Sequence, residues 1–465
     1  MENKTGIFGV MQRLWGSAYA IASVGTVIRV GANIILLPLM LRTLVPELQA
    51  LWWVFLSLGA LASLADFGFG QVISRVYGFL WAGAEDIKEE GLLAPTESKE
   101  PNLPRLRVLN CTVRHLYFWV SFTATVLLAL GGTLVLSKPI SALADPMQGW
   151  LAWGGYLAAV AFNIFTGHWN LACMGVNRVR DLHFSYTAGG VIYLLVAATF
   201  LQAGYGLHAL IAATFMRGVV SRWITKRSYY EAVPPDPQTP EKMDVVLLKR
   251  LWPNAKKFGL MSLASYLVSQ ANMMVASHYL PVETVASYGL SVQVVTFMAN
   301  FSCLWISVKW PQIIILRTQG ALDAMSQLFA RRLALVVLTF FAGAVALLLL
   351  GQPLLKMMAA KSTLLPQEQL MIYLVWAGIQ IFPVHFSHLT YTENVVPFYR
   401  LSVFTGVLCV SLALLLTPVY GIYGLLWVPL IVETTCIWWY VIWRGFQGQS
   451  LNLKEFIKAF FWQTR

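Results

Sequence analysis

Charge is scarce in this chain. Only 12% of its 465 residues are Asp, Glu, Lys or Arg, about half of the roughly 25% usual for a soluble domain, which is too little to cover the surface of a soluble globule of this length. Cysteine is scarce too. Cys111, Cys173, Cys303, Cys409 and Cys436 lie in or beside apolar runs without paired spacing, so neither a disulfide framework nor a cysteine-based zinc site organises the fold. No GxxxxGK[ST] loop occurs, and the chain therefore has no phosphate cradle of its own for ATP hydrolysis. Gly68-Phe69-Gly70 opens like a dinucleotide fingerprint, but Ile73 takes the third glycine position, and close helix packing is the simpler account. His385 and His388 stand three apart with Glu393 beyond. Without an HExxH motif or a second cluster they read as span-end polar residues, not metal ligands. No cofactor is expected.

Apolar residues dominate, at 58%. Runs of about 20 residues, the length that crosses a hydrocarbon core, recur about twelve times, beginning with 18–41 and 50–77 and ending with 401–416 and 422–442. This pattern predicts an all-α polytopic membrane protein. The first run is too long for a signal h-region and lacks a small-residue cleavage signature, so it is expected to stay in the mature chain. Assigned alternately, the loops place Arg42, Lys138, Lys356 and Lys361 on one face and clusters such as Arg178/Arg180, Lys249/Arg250, Lys256/Lys257 and Arg331/Arg332 on the other. The positive-inside rule then puts both termini in the cytoplasm. The net charge of +12 is mainly this topology signal and a contact with anionic membrane lipids, and no nucleic-acid partner is expected.

Four prolines, Pro234, Pro235, Pro237 and Pro240, interrupt a polar stretch that divides the spans six and six. The predicted organisation is an N-terminal six-helix lobe (1–221), a cytoplasmic linker (222–257), a C-terminal six-helix lobe (258–442) and an interfacial amphipathic tail (443–465), where Asn452 and Glu455 form a capping-box pattern. Two even halves imply parallel repeats. The turn Leu44-Val45-Pro46-Glu47 indeed has a counterpart in Leu280-Pro281-Val282-Glu283, each joining the first two spans of its half.

Polar groups inside the spans are the candidate substrate-binding residues: Arg29, Asn33, Asp66, Arg217, Gln270, Asn272, Asn300 and Glu433. Arg29 stands out because it lies near the middle of the first span, where a cation costs roughly 2.5–3.5 kcal/mol on insertion scales. Two readings follow. Either Asp66 or Glu433 neutralises Arg29 in a structural pair, or the guanidinium faces an anionic substrate.

The stretch Leu64-Ala65-Asp66-Phe67-Gly68-Phe69-Gly70, ending in Ser74-Arg75, resembles the end of the second span in polysaccharide flippases of the multidrug/oligosaccharidyl-lipid/polysaccharide (MOP) superfamily. Trp52-Trp53 at the start of that span does likewise, and Ser269-Gln270-Ala271-Asn272 through Ser287-Tyr288-Gly289-Leu290 to Trp310-Pro311 is similar to the start of the family's C-terminal lobe. Leu51 replaces a usual glycine, and Asn272 a common acidic residue. The resemblance implies a MATE-like, V-shaped transporter of two six-helix lobes working by alternating access. Its substrate would be an undecaprenyl-diphosphate-linked oligosaccharide, exported across the bacterial inner membrane for surface polysaccharide synthesis, with Arg29 on the diphosphate and the polysaccharide polymerase machinery as a further partner. A cation-coupled multidrug exporter of the same fold is the alternative. A membrane glycosyltransferase or polymerase is disfavoured, because outer loops such as 42–49, 202–204 and 417–421 leave little room for a catalytic site.

Overall fold

The computed structural model describes residues 36–84, 100–237, 243–318, 320–392, 397–449 and 453–461. All regular structure among them is helical. The first half contains α1 (Pro46–Ser63), a 3-10 turn (Leu64–Asp66), α2 (Phe69–Trp81), α3 (Leu103–Ser141), α4 (Pro146–Phe165), α5 (His168–Gly175), α6 (Val179–Gln202) and α7 (Leu207–Ala232). The second contains α8 (Val245–Ser269), α9 (Ala271–Tyr279), α10 (Val282–Ser307), α11 (Trp310–Thr318), α12 (Leu322–Met357), α13 (Gln367–Tyr391), α14 (Tyr399–Tyr420), α15 (Ile422–Glu433), a π-helical turn (Thr434–Trp438), α16 (Trp439–Gln447) and α17 (Leu453–Phe460). Residues 36–43 form the helical end of the expected first span. Arg29 and Asn33 lie outside the described residues.

Among the described residues, eight helical segments are long and apolar enough to cross a membrane: Pro46–Asp66, Leu103–Ser141, Val179–Gln202, Val282–Ser307, Leu322–Met357, Gln367–Tyr391, Tyr399–Tyr420 and Ile422–Gln447. Further expected spans are also helical but more polar. Gln148, Asn163 and several glycines dilute α4, Arg217 and Arg222 interrupt α7, and α8 begins with Lys249, Arg250, Lys256 and Lys257. The eight carry their apolar side chains outward as well as inward, as a lipid solvent permits: on α3, Leu127, Leu130 and Leu134 are all more than 60% exposed. With 39 residues and a rise of about 1.5 Å each, α3 is much longer than a bilayer core of about 30 Å.

Local chemistry sets the helix starts. Asn102 accepts the N–H of Arg105 at 3.2 Å, and Asp145 accepts those of Met147 and Gln148 at 3.1 and 3.4 Å, taking up donors that a helix N-terminus leaves free. Pro104 and Pro146 stand in the first turns, where a missing N–H costs nothing.

The chain divides into two compact units, one of residues 1–44 and 58–262 and the other of 45–57 and 263–465. Two of the three boundaries, 57/58 and 262/263, fall within helices, so α1 and α8 each contribute to the two units. In the first unit the core gathers Ile73 and Tyr77 of α2, Leu106, Val113 and Tyr117 of α3, Trp169 and Cys173 of α5, Tyr229 of α7 and Leu251 and Ala255 of α8. Tyr77 meets Tyr229 edge to face at 6.1 Å. Their hydroxyls do not go unpaired: Tyr77 donates to Asn110 at 3.1 Å and Tyr229 to the Leu106 carbonyl at 3.3 Å. Beyond α7 the chain is pinned by Arg107, which donates to the Pro234 carbonyl at 2.9 Å and pairs with Asp236 at 2.7 Å.

In the second unit Trp53 of α1 packs on Gly289 of α10, so tightly that a Cβ there would overlap the indole. Phe456 of α17 is buried among Phe329, Phe386 and Phe446, with ring centroids 5.1–6.3 Å apart. The opposite stripe of α17, Leu453, Ile457 and Phe461, is exposed. One side of the tail thus grips the unit and the other is free to meet lipid, with Lys454 and Lys458 beside that stripe.

Single cysteines test the orientation. In sealed cells a membrane-impermeant maleimide should label Ala142→Cys and Thr363→Cys, whereas Pro237→Cys should react only after permeabilisation. Labelling of Pro237→Cys in sealed cells would reverse the topology.

Candidate functional site

Within the first unit the polar centre is the helix break between α1 and α2. Phe67 and Gly68 both have positive φ, 43° and 78°, and the chain turns there before α2 begins. Asp66 stands at the positive end of α2, where a carboxylate is favoured. It accepts the Gly70 N–H at 3.0–3.1 Å and the Tyr117 hydroxyl of α3 at 2.7 Å. Gly68 is required twice over. Its φ suits glycine, and a Cβ would lie 2.5 Å from the Ala255 carbonyl oxygen and 2.6 Å from the Gly259 nitrogen on α8. Trp252 of α8 stacks on Phe67 at 5.7 Å, nearly parallel. The Asp-Phe-Gly-Phe-Gly pattern therefore encodes a satisfied helix break against which α8 packs at backbone distance.

Three cations, Arg217, Arg222 and the exposed Lys226, lie along α7. The Arg217 guanidinium lies 5.9 Å from the Tyr193 ring and the Lys226 ammonium 6.0 Å from Trp169, both within the range of cation–π attraction. Arg222 differs. Its Nε and Nη1 are buried and have no hydrogen-bond partner among the described residues, although Tyr117, Tyr186 and Arg217 are near enough to act on its charge. Two further buried atoms nearby lack partners in the same sense: His168 Nε2, whose ring holds the Phe165 carbonyl through Nδ1 at 2.7 Å, and Asn170 Oδ1, whose amide reaches the Tyr186 hydroxyl at 3.3 Å. Each such group costs about 1–3 kcal/mol while it stays unpaired.

The second unit holds a different polar centre. Glu433, 8% exposed, ends α15, and a π-helical turn follows, a local insertion frequent at functional sites. Trp376 Nε1 and Gln380 Nε2, one helical turn apart on α13, both donate to Glu433 Oε2 at 2.6 Å. Trp438 within the π turn donates to the Ile379 carbonyl at 3.1 Å and ties the two helices together again. Among the described residues neither Asp66 nor Glu433 forms an ion pair.

The other candidates are dispersed. Gln270 sits at the break between α8 and α9. Asn272 is buried just beyond it, with its amide 3.4 Å from the Val268 carbonyl and its Oδ1 unpartnered. Asn300 is exposed on α10. Asp66 and Arg217 belong to the first unit, and Gln270, Asn272, Asn300 and Glu433 to the second. Tyr117 and Trp376 were not legible as site residues, since a tyrosine or tryptophan in a span reads first as packing. The one hint was position: Trp376 lies well inside its span, away from the ends where most tryptophans of the chain fall. Arg222 reads in sequence as a loop cation for topology, whereas in the structure it continues α7 with a partly buried guanidinium.

No protein-family profile and no curated protein matches the sequence. Solved structures match in fold. An inward-facing multidrug resistance MATE family transporter of the MOP superfamily aligns over 94% of this chain and 93% of its own, with a TM-score of 0.61 and 13% identity. The lipid II flippase MurJ, in an inward closed conformation, aligns over 95% and 90%, with a TM-score of 0.63 and 12% identity. The Vibrio cholerae MATE transporter VcmN aligns over 97% of both chains, with a TM-score of 0.55 and 13% identity. The fold is therefore that of MATE-like transporters, the all-helical class expected from the apolar runs.

Two stability measurements probe the break. A double-mutant cycle of Asp66→Asn with Tyr117→Phe should return a coupling of about 1.5–3 kcal/mol, as for a hydrogen bond to a charged group, read from unfolding in detergent; additive effects would refute the bond. Gly68→Ala should lower the thermal midpoint, with at least about 1–2 kcal/mol from the left-handed backbone alone.

Proposed function

We propose that this chain exports a polyprenyl-diphosphate-linked oligosaccharide across the bacterial inner membrane by alternating access, supplying surface polysaccharide synthesis. The observation that carries the reading is the state of the charges. Both carboxylates among the candidate residues are held by neutral donors, Tyr117 and Gly70 on Asp66, Trp376 and Gln380 on Glu433. The buried donors of Arg222 meanwhile have no partner among the described residues. A guanidinium held out of water without a carboxylate among the described residues suits an anionic cargo, and a diphosphate offers several acceptors to such a group. One protein of this fold, MurJ, is a lipid II flippase.

In this reading Arg29 and Arg217 hold the diphosphate, while Asn33, Gln270, Asn272 and Asn300 offer amides to the sugar. Asp66 shapes the helix break and Glu433 tunes the second unit. The polyprenyl tail stays in lipid. Outward movement of negative charge runs with an inside-negative potential, worth about 2.3 kcal/mol per charge per 100 mV, so no nucleotide is needed. The product is delivered where a polysaccharide polymerase would act, with both termini of the chain in the cytoplasm. A second reading, a cation-coupled multidrug exporter, draws on Glu433, a buried carboxylate without a counter-cation among the described residues. It predicts loss of drug efflux in Glu433→Gln and no preference for anionic lipid.

Purified protein in liposomes should translocate an undecaprenyl-diphosphate-linked oligosaccharide without ATP, faster with an inside-negative potential. Strict ATP dependence would reject the proposal. Arg29→Ala should fold and insert with an unchanged melting temperature but lose transport, and Arg29→Lys should retain part of it, because an ammonium attracts phosphate without the bidentate fork. The opposite result is an unstable Arg29→Ala restored to full transport by Asp66→Asn or Glu433→Gln. It would assign Arg29 to a structural pair.

A further inference from the structure

The second unit contains an open cavity of about 680 Å³, lined by both polar and apolar side chains, that the export reading leaves unused. It is built where three loops converge, all assigned to the outer face by the distribution of Lys and Arg: the Leu280–Glu283 turn at the start of α10, the 358–366 segment after α12, and the Gly421 turn before α15. Glu283, Thr284, Gln352, Lys356, Thr363 and Gln369 supply its polar lining. The walls are preformed. Gln352 Nε2 donates to the Leu364 carbonyl at 3.0 Å, and the Leu365 N–H donates to the buried Ser291 hydroxyl at 2.9 Å. A Cβ on Gly351 would lie 2.7 Å from the Leu364 side chain, so the loop rests directly on α12. Leu364 and Leu365, though almost fully buried, also line the cavity, with Leu280, Pro281, Pro366 and Ile422 as its other apolar side chains.

The lining chemistry selects a ligand class. A carboxylate, an ammonium, two carboxamides and several hydroxyls offer donors and acceptors side by side, and no aromatic side chain lines the cavity. An apolar or aromatic compound would bury these groups unanswered, at about 1–3 kcal/mol each. A polyhydroxylated ligand suits such a mixed lining, because every sugar hydroxyl both donates and accepts while the C–H faces of the ring meet the apolar side chains. The volume lies within the range of roughly 300–1,000 Å³ typical of small-ligand sites.

We propose that this cavity is a carbohydrate-binding site on the outer face of the second unit, holding the sugar of the exported lipid-linked oligosaccharide once it has crossed. The proposal rests on the export reading for its ligand, and on the cavity for its place. Bound there, the sugar opposes return of the headgroup through the membrane. The Leu280-Pro281-Val282-Glu283 turn, which echoes the Leu44–Glu47 turn of the first half, thereby acquires a role of its own through Glu283.

Thiol protection in the full-length protein tests this. Alkylation of Thr284→Cys and Thr363→Cys, followed on their own peptides by mass spectrometry, should slow about tenfold at a ligand concentration about ten times Kd. The probes are an undecaprenyl-diphosphate-linked oligosaccharide, the same oligosaccharide released from its lipid, and undecaprenyl diphosphate without sugar. The first two should protect and the third should not, and Glu283→Gln with Gln369→Ala should abolish protection. Unchanged rates with the sugar-bearing probes, or equal protection by the sugar-free lipid, would overturn the proposal. Liposome transport measured on the same samples separates the two readings. Transport without protection rejects the cavity and keeps the exporter, whereas protection without transport supports the cavity and rejects the exporter.

Discussion

Inside hydrocarbon no water is available to take a free N–H or C=O, so every helix that crosses must settle its backbone hydrogen bonds locally, and every break must be answered by a side chain. Much of this chain's polar inventory is spent on that demand. Hydroxyls such as Thr112, Thr417 and Thr434 fold back onto carbonyls one turn earlier. At the break between α1 and α2, where the turn through Phe67 and Gly68 frees donors of the next helix, the Asp66 carboxylate supplies the acceptor and Tyr117 supplies the carboxylate with a donor. The π turn after Glu433 is the corresponding irregularity of the second unit, bridged by Trp376, Gln380 and Trp438.

The same demand explains why the breaks are also packing centres. A helix interrupted at glycine presents bare backbone, and another helix can approach it closely. Gly68 and Gly259 meet in this way between the α1–α2 break and α8, with Phe67 and Trp252 stacked alongside. Gly289 admits Trp53, and Gly218 of α7 lies against Asn163 of α4. Between helices in lipid there is little hydrophobic drive, so such close approaches and their dispersion contacts carry the association.

Once the carboxylates are engaged by neutral donors, the cations decide the functional reading. An arginine removed from water without a counter-ion is costly, and the cost is recovered when an anion binds. This logic gives Arg222, whose Nε and Nη1 have no partner among the described residues, a significance that a count of loop charges does not reveal. It also distinguishes the two exporter readings physically, since one uses the cations on α7 and the other uses Glu433.

Composition and periodicity alone determined the class of this protein: apolar runs of bilayer length, punctuated by basic loops, can form little else but a helical membrane protein. The Asp66–Gly70 pattern was legible only as a resemblance to a span end, and the apolar run 50–77 gave no sign that the helix breaks there. Spacing along one chain, however, carries no information about neighbours from other helices. That Tyr117 sits on Asp66, that Trp376 and Gln380 converge on one oxygen of Glu433, and that the Arg222 guanidinium is partly buried within α7 instead of standing in a loop were decided only by the packing of α3, α13 and α7. The span count shows the same limit from the other side, because α4, α7 and α8 are helical despite glycines, amides and charges that lower their hydropathy. Tertiary contacts partly shelter Asn163 and Arg222, whereas Gln148, Lys249, Lys256 and Lys257 stay exposed, and hydropathy, which sums residues one by one, does not tell the two cases apart.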